Sequence, residues 1–177
     1  MGPSDPPGTT YIPGLRQNLH GLFAVNLGVY VLEVGRATKN LATSWVQDYH
    51  CCIRSRLAEL MGFPGKELWW EARADTEVIA GVRERIHQLA FPFLNRYGSR
   101  DGIIEELGGR SDHFAADRPP RIVLAIILLE RGQKDNARQL LAAQAREAEK
   151  RVEPIGRHHA AYVRELAGRL GLGELGV

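Results

Sequence analysis

The chain has 177 residues and a mass of 19.7 kDa, the length of one ordinary domain. Its 44% hydrophobic and 25% charged residues exclude an intrinsically disordered chain. The longest strictly apolar run, Ile122 to Leu129, is far short of the roughly 18 residues a transmembrane helix needs, and a net charge of +2 lacks the basic excess of a dedicated nucleic-acid binder.

Residues 1–8 carry three Pro and two Gly, without the basic stretch and apolar run of a secretory leader. Residues 1–20 are expected to be poorly ordered or to form an edge segment, in which Thr9 to Ile12 can be a short edge strand stopped by Pro13. Phe23 to Val31 is the clearest strand. Phe23, Val25, Leu27, Val29 and Val31 share one apolar face that should meet helices, and Ala24, Asn26, Gly28, Tyr30 and Leu32 share the other. Gly28 in that strand points to a bulge or a close backbone approach. Gly35 to Ser44 reads as a loop.

Trp45 to Leu57 alternates, with Tyr49, Cys51, Ile53 and Leu57 on one side and Asp48, His50, Cys52, Arg54 and Arg56 on the other. This predicts a half-buried antiparallel strand that turns helical toward Leu60 and Met61. Phe63 to Lys66 is a turn, and Leu68 to Glu71 a short strand.

The pattern then becomes helical. Asp75 is an expected N-cap for a helix carrying Val78, Ile79, Val82, Ile86 and Leu89, which Pro92 should kink or split near Gln88 to Phe91. A short helix over Asp101 to Leu107 ends at Gly108-Gly109, and Arg110 to Arg118 is a polar loop. Asp117 is expected to cap a helix with Pro119 in its first turn, running to about Arg131 and stopped by Gly132. Asp135 is expected to cap the next, whose Ala137 and Ala145 would let the pair close as a tight hairpin. A last helix follows Pro154, with Tyr162, Val163, Leu166 and Leu170 inward. The arginines and lysine interleaved with acids in the C-terminal third read as a solvated helix face.

Strands grouped first and helices grouped later predict an α+β fold, a small N-terminal antiparallel sheet packed against a C-terminal helical half. The expected boundaries are a single domain over about residues 21–172, with strands over about 21–72 and helices over about 75–172.

Three segments carry a resemblance. Phe23-Ala24-Val25-Asn26-Leu27-Gly28-Val29-Tyr30, then Cys52-Ile53-Arg54-Ser55-Arg56-Leu57-Ala58-Glu59-Leu60, then Trp69-Trp70 resemble, in order and spacing, a bacterial family of domains of unknown function, DUF4304. The resemblance extends over roughly residues 21–150 and brings no established activity with it. Members begin with a helix and a strand before the first of these segments. Here a Pro/Gly-rich stretch stands in their place, which implies a sheet with a part missing.

Candidate sites come from the same segments. Asp48, His50, Arg54 and Arg56, with Asn26 and Tyr30 across from them, could grip an anion or a phosphate. The plainer reading is a solvated sheet face with cross-strand pairs. Of Trp69 and Trp70, one should enter the core and the other face outward as an interface anchor, or both should be core. His50 and Cys52 could share an ion, but the chain has no CxxC, HxxxH or HExxH, so no metal and no cofactor are expected. No GxSxG or phosphate loop is present, and cysteines beside a histidine in sequence are not a catalytic dyad, so no catalytic residue is assigned. Adjacent Cys51 and Cys52 could pair only under strain, and with no leader visible a reducing cytoplasm is the expected compartment.

The reading is a non-enzymatic protein-interaction module with a protein partner, neither membrane nor nucleic acid. The alternative is a small ligand- or phosphate-binding protein or enzyme using the polar strand face around His50, Arg54 and Arg56.

Overall fold

β-branched and aromatic residues at period two put residues 22–31 in the middle of a sheet. The computed structural model describes residues 9–17, 21–40, 46–63, 68–71, 76–109, 119–151 and 154–176. Strand β1 (Thr9–Gln17) pairs antiparallel with β2 (Leu22–Val31) along its whole length, from Gln17 opposite Phe23 to Thr9 opposite Val31. The other flank of β2 is divided. β3 (Ile53–Arg56) takes Asn26 to Val29, and β4 (Trp70–Glu71) takes Leu22 and Phe23.

The edge strand therefore runs past Pro13 rather than stopping there. Pro13 sits opposite Leu27, and an edge strand tolerates a residue without an N–H. The sheet also keeps a strand at the position where the family resemblance implied a missing part.

Two expectations for the connecting segments are corrected. The stretch from Gly35 is not all loop, because β2 leads directly into helix α1 (Leu32–Ala37). The cause is Val34, which is 1% exposed and packs into the core, while the Thr38 hydroxyl donates to the Val34 carbonyl at 2.7 Å and closes the helix. Ser44 lies outside the described residues. Trp45 to Leu57 is not one strand either. Asp48–His50 forms a 3-10 turn, and only Ile53–Arg56 is extended. His50 Nδ1 accepts the Gln47 N–H at 2.9 Å, so local hydrogen bonding holds the turn against sheet pairing. Helix α2 (Leu57–Leu60) follows at once, the helical turn expected there. The Glu59 carboxylate accepts the Arg56 N–H at 2.8 Å and the Ser55 hydroxyl at 3.0 Å.

The helical half begins with α3 (Thr76–Arg85) and α4 (Phe91–Arg96), joined by a π-helical turn at Ile86–Ala90. Pro92 is the cause of that turn. Its ring would collide with the Gln88 carbonyl of a regular α-helix, and one extra residue per turn opens the space, with the Phe91 N–H reaching back to the Ile86 carbonyl. Helices α5 (Arg100–Gly109), α6 (Pro120–Glu130), α7 (Lys134–Glu149) and α8 (Pro154–Arg169) complete the chain. The expected caps Asp75 and Asp117 lie outside the described residues. Pro119 is the N-cap of α6 rather than part of its first turn, and Gln133, not Asp135, is the N-cap of α7. Asp135 lies inside the first turn of α7, where its charge still suits the helix dipole. Gly132, at φ +76°, makes the bend between α6 and α7.

The core has two parts. Val25 and Leu27 pack with Leu57, Val82 and Ala90, beneath α2, α3 and the π turn. Val29, Val31 and Ile53 pack with α4 to α8. Helix α6 is the centre of the larger part, with every residue from Ile122 to Leu128 buried. The Arg100 guanidinium grips the Glu33 carboxylate through Nε and Nη2, the latter at 2.9 Å, and ties α1 to α5.

Candidate functional site

The face of β2 away from Val25 and Leu27 is not uniformly open. At Gly28 it is closed by Cys51, since a Cβ built on Gly28 would lie 2.6 Å from the Cys51 Sγ. The expected close backbone approach at Gly28 is thus what the structure has. At Tyr30 it is closed again. The ring is 4% exposed and lies against Gly35, where an added Cβ would come within 2.9 Å of Tyr30 Cζ. Its hydroxyl is buried with no hydrogen-bond partner among the described residues.

Toward the start of β2 the face opens into a pocket of about 210 Å³. Its lining includes Ala24, Val25, Asn26, Arg56, Ala58, Leu68, Trp69 and Trp70. The cause is the divided flank. β3 ends where Arg56 faces Asn26, β4 starts where Trp70 faces Phe23, and Ala24 and Val25 between them have no strand partner on that side among the described residues. The Cys52 N–H donates to the Val29 carbonyl at 3.0 Å, so Val29 directs its peptide groups to this flank. By the period of two, Leu27 and Val25 do the same, and Val25 turns its N–H and C=O into the gap.

The two tryptophans divide as a strand requires. Trp70 faces the core side, its ring 5.8 Å from that of Phe23 and packed near Val25 and Leu27. Trp69, one residue earlier, belongs to the opposite face with Ala24 and Asn26. Both are half-buried and both reach the pocket.

Of the sequence-derived candidates, the pocket brings together Asn26, Arg56, Trp69 and Trp70. Tyr30, His50 and Arg54 are not part of the described lining. His50 is engaged in its own turn, with its ring 4.2 Å from that of Tyr49. Asp48 belongs to the same turn. Arg54, half-buried, sits opposite Gly28 on the face it shares with Arg56. Tyr49, expected on the apolar side, is 55% exposed, and Cys52, expected on the polar side, is buried with its thiol against the Val29 carbonyl at 3.5 Å. Sequence reasoning missed Ala24, Val25, Ala58 and Leu68. They are apolar residues whose role arises only because two short strands share one flank, which no local pattern records.

Among the described residues no group of three or more His, Cys, Asp or Glu could hold a metal ion. Among them, too, no helix is long and apolar enough to cross a membrane. Burial holds the His159 imidazole below its ordinary pKa, with the Arg151 charge adding to the effect, and the Gln144 amide lies 3.2 Å from its Nε2. The Arg131 guanidinium, by hydrogen bond and charge, lowers the Asp101 carboxyl.

The family model described as a domain of unknown function (DUF4304) matches residues 17–96, and the chain resembles that family through the sheet and the first helices. The match ends with α4, short of the residue 150 to which the motifs suggested a resemblance. No curated protein and no solved structure matches the chain.

Proposed function

We propose that this protein is a non-enzymatic binding module that recognises a protein partner through the pocket of Asn26, Arg56, Trp69 and Trp70. The observation that carries this reading is the convergence of two indoles, a guanidinium and an amide on a break in the sheet. Tryptophan and arginine dominate interface energetics because they combine large apolar area with a polar end. The pocket, at about 210 Å³, is smaller than the roughly 300–1,000 Å³ of sites that enclose whole small molecules. It suits one inserted side chain. Cys51 and Cys52 are thiols rather than a disulfide, which supports a cytoplasmic setting.

The test compares capture by the tagged protein with capture by its Trp69→Ala and Arg56→Ala variants, with Arg146→Ala as a surface control. The expected result is a partner retained by wild type and the control and lost by both pocket variants. Equal capture by all four would sink the reading.

A second reading, binding of a small anion or phosphate, is favoured by the direct register of Asn26 and Arg56 across β2 and β3. A thermal-shift screen with phosphate and nucleotides separates it. A reproducible rise in Tm that disappears in the Arg54→Ala, Arg56→Ala double variant would move the protein into that class.

A further inference from the structure

The chemistry of the pocket selects its occupant. Arg56 brings five N–H donors, enough to serve an internal acceptor and an incoming one together. An indole has one polar group, and it donates. Val25 directs a peptide N–H and its C=O into the same gap. Among the described lining residues, Asn26 is the one side chain that also offers an acceptor. The surrounding register carries charge of both signs. Arg54 stands two residues from Arg56 on the same face, and the carboxylate-bearing Glu71 lies in β4 opposite Leu22. The nearby Glu59 carboxylate is committed to Ser55 and the Arg56 backbone. A donor-rich cleft with one guanidinium in its wall matches a monoanion with a planar fork, which is a carboxylate. The volume matches one side chain.

We infer that the pocket receives the carboxylate of an aspartate or glutamate side chain presented by the protein partner. This rests on the pocket being the interaction site. The Arg56 fork takes the carboxylate, and the indoles flank the aliphatic stem that carries it.

The experiment follows the indole N–H resonances of the 15N-labelled protein during titration with N-acetyl-glutamate N-methylamide. The matched probe is N-acetyl-glutamine N-methylamide, and inorganic phosphate at equal ionic strength is the third arm. The expected result is a saturable shift of the Trp69 indole with the glutamate probe, and binding about tenfold weaker or worse for the glutamine probe, the loss of one charge-assisted bond. Arg56→Gln should remove the discrimination, and Arg56→Lys should keep part of it. Should Arg56→Gln fail to fold, the two probes on wild type decide alone. Equal response to both probes, tighter binding of phosphate, or no response overturns the inference. If capture still depends on Trp69 while the glutamate probe fails, the acidic occupant falls and the partner reading stands. If Trp69-dependent capture fails, the partner reading itself falls.

Discussion

Gly28 and Tyr30 show how the N-x-G-x-Y stretch of β2 works residue by residue. Asn26 serves the pocket, Gly28 clears room for Cys51, and Tyr30 closes the end of the face against Gly35. Gly28→Ala should cost about 1–3 kcal/mol, because the new methyl meets the buried Cys51 side chain from both Sγ and Cβ, at 2.6 and 2.9 Å. A urea midpoint within error of wild type would show that Cys51 can swing away. Tyr30→Phe should act in the other direction. The hydroxyl is buried without a partner among the described residues, so removing it should leave stability unchanged or raise it by about 1 kcal/mol. A clear drop in denaturant midpoint would mean that the hydroxyl is satisfied. The alternation of β2 made both faces legible in the sequence, and a lone glycine within it marked the close approach. What covers each face was not legible, because alternation gives a direction and not a neighbour.

Among the elements, the clearest successes and failures have physical causes. The α6–α7 bend was legible because Gly132 does at φ +76° what other residues resist. The break at Pro92 was legible because the ring removes a donor, though its resolution into a π turn depends on the packing of Ala90 with Leu57. Trp45 to Leu57 misled because a 3-10 turn can mimic alternation over a few residues, and the His50 cap that creates it is a contact of the folded turn. The candidate site was half legible. Its aromatic and basic residues stood out, but the gap that unites them comes from where β3 and β4 stop.

The α7–α8 contact supplies a pH dependence. His159 is half-buried beside Gln144, with the Tyr162 ring at 6.3 Å and the Arg151 charge acting on it. Its folded pKa lies below the ordinary 6.5, so the unfolded chain binds the proton more readily. This contribution to stability is complete above about pH 6.5 and declines as pH falls from there through the lower folded value. His159→Gln should flatten the Tm profile between about pH 7.5 and 5.5. An unchanged slope in the variant would assign the dependence to other groups.

For the whole molecule, the region that resembles the family shares its core with the helices that follow it. Residues 17–96 contain β2 to β4 and α1 to α4, while Val29, Val31 and Ile53 belong to one core cluster with residues of α5 to α8, and α1 packs on α6. Residues 1–96 alone would expose that apolar surface. The fragment should lack a cooperative thermal transition, whereas the full chain should show one. A sharp transition in the fragment would refute the shared core. The burial of α6 on all sides also bears on how the protein is made. β1 and β2 leave the ribosome early as a hairpin, but α6 emerges only after every residue from Val31 to Pro120 has been added. At roughly 5–20 residues per second, the apolar edge of the nascent sheet waits on the order of 5–20 s for its covering helix. During that interval the growing chain presents a sticky strand surface to solvent, and the yield of native protein should depend on chaperone capture more than on final stability.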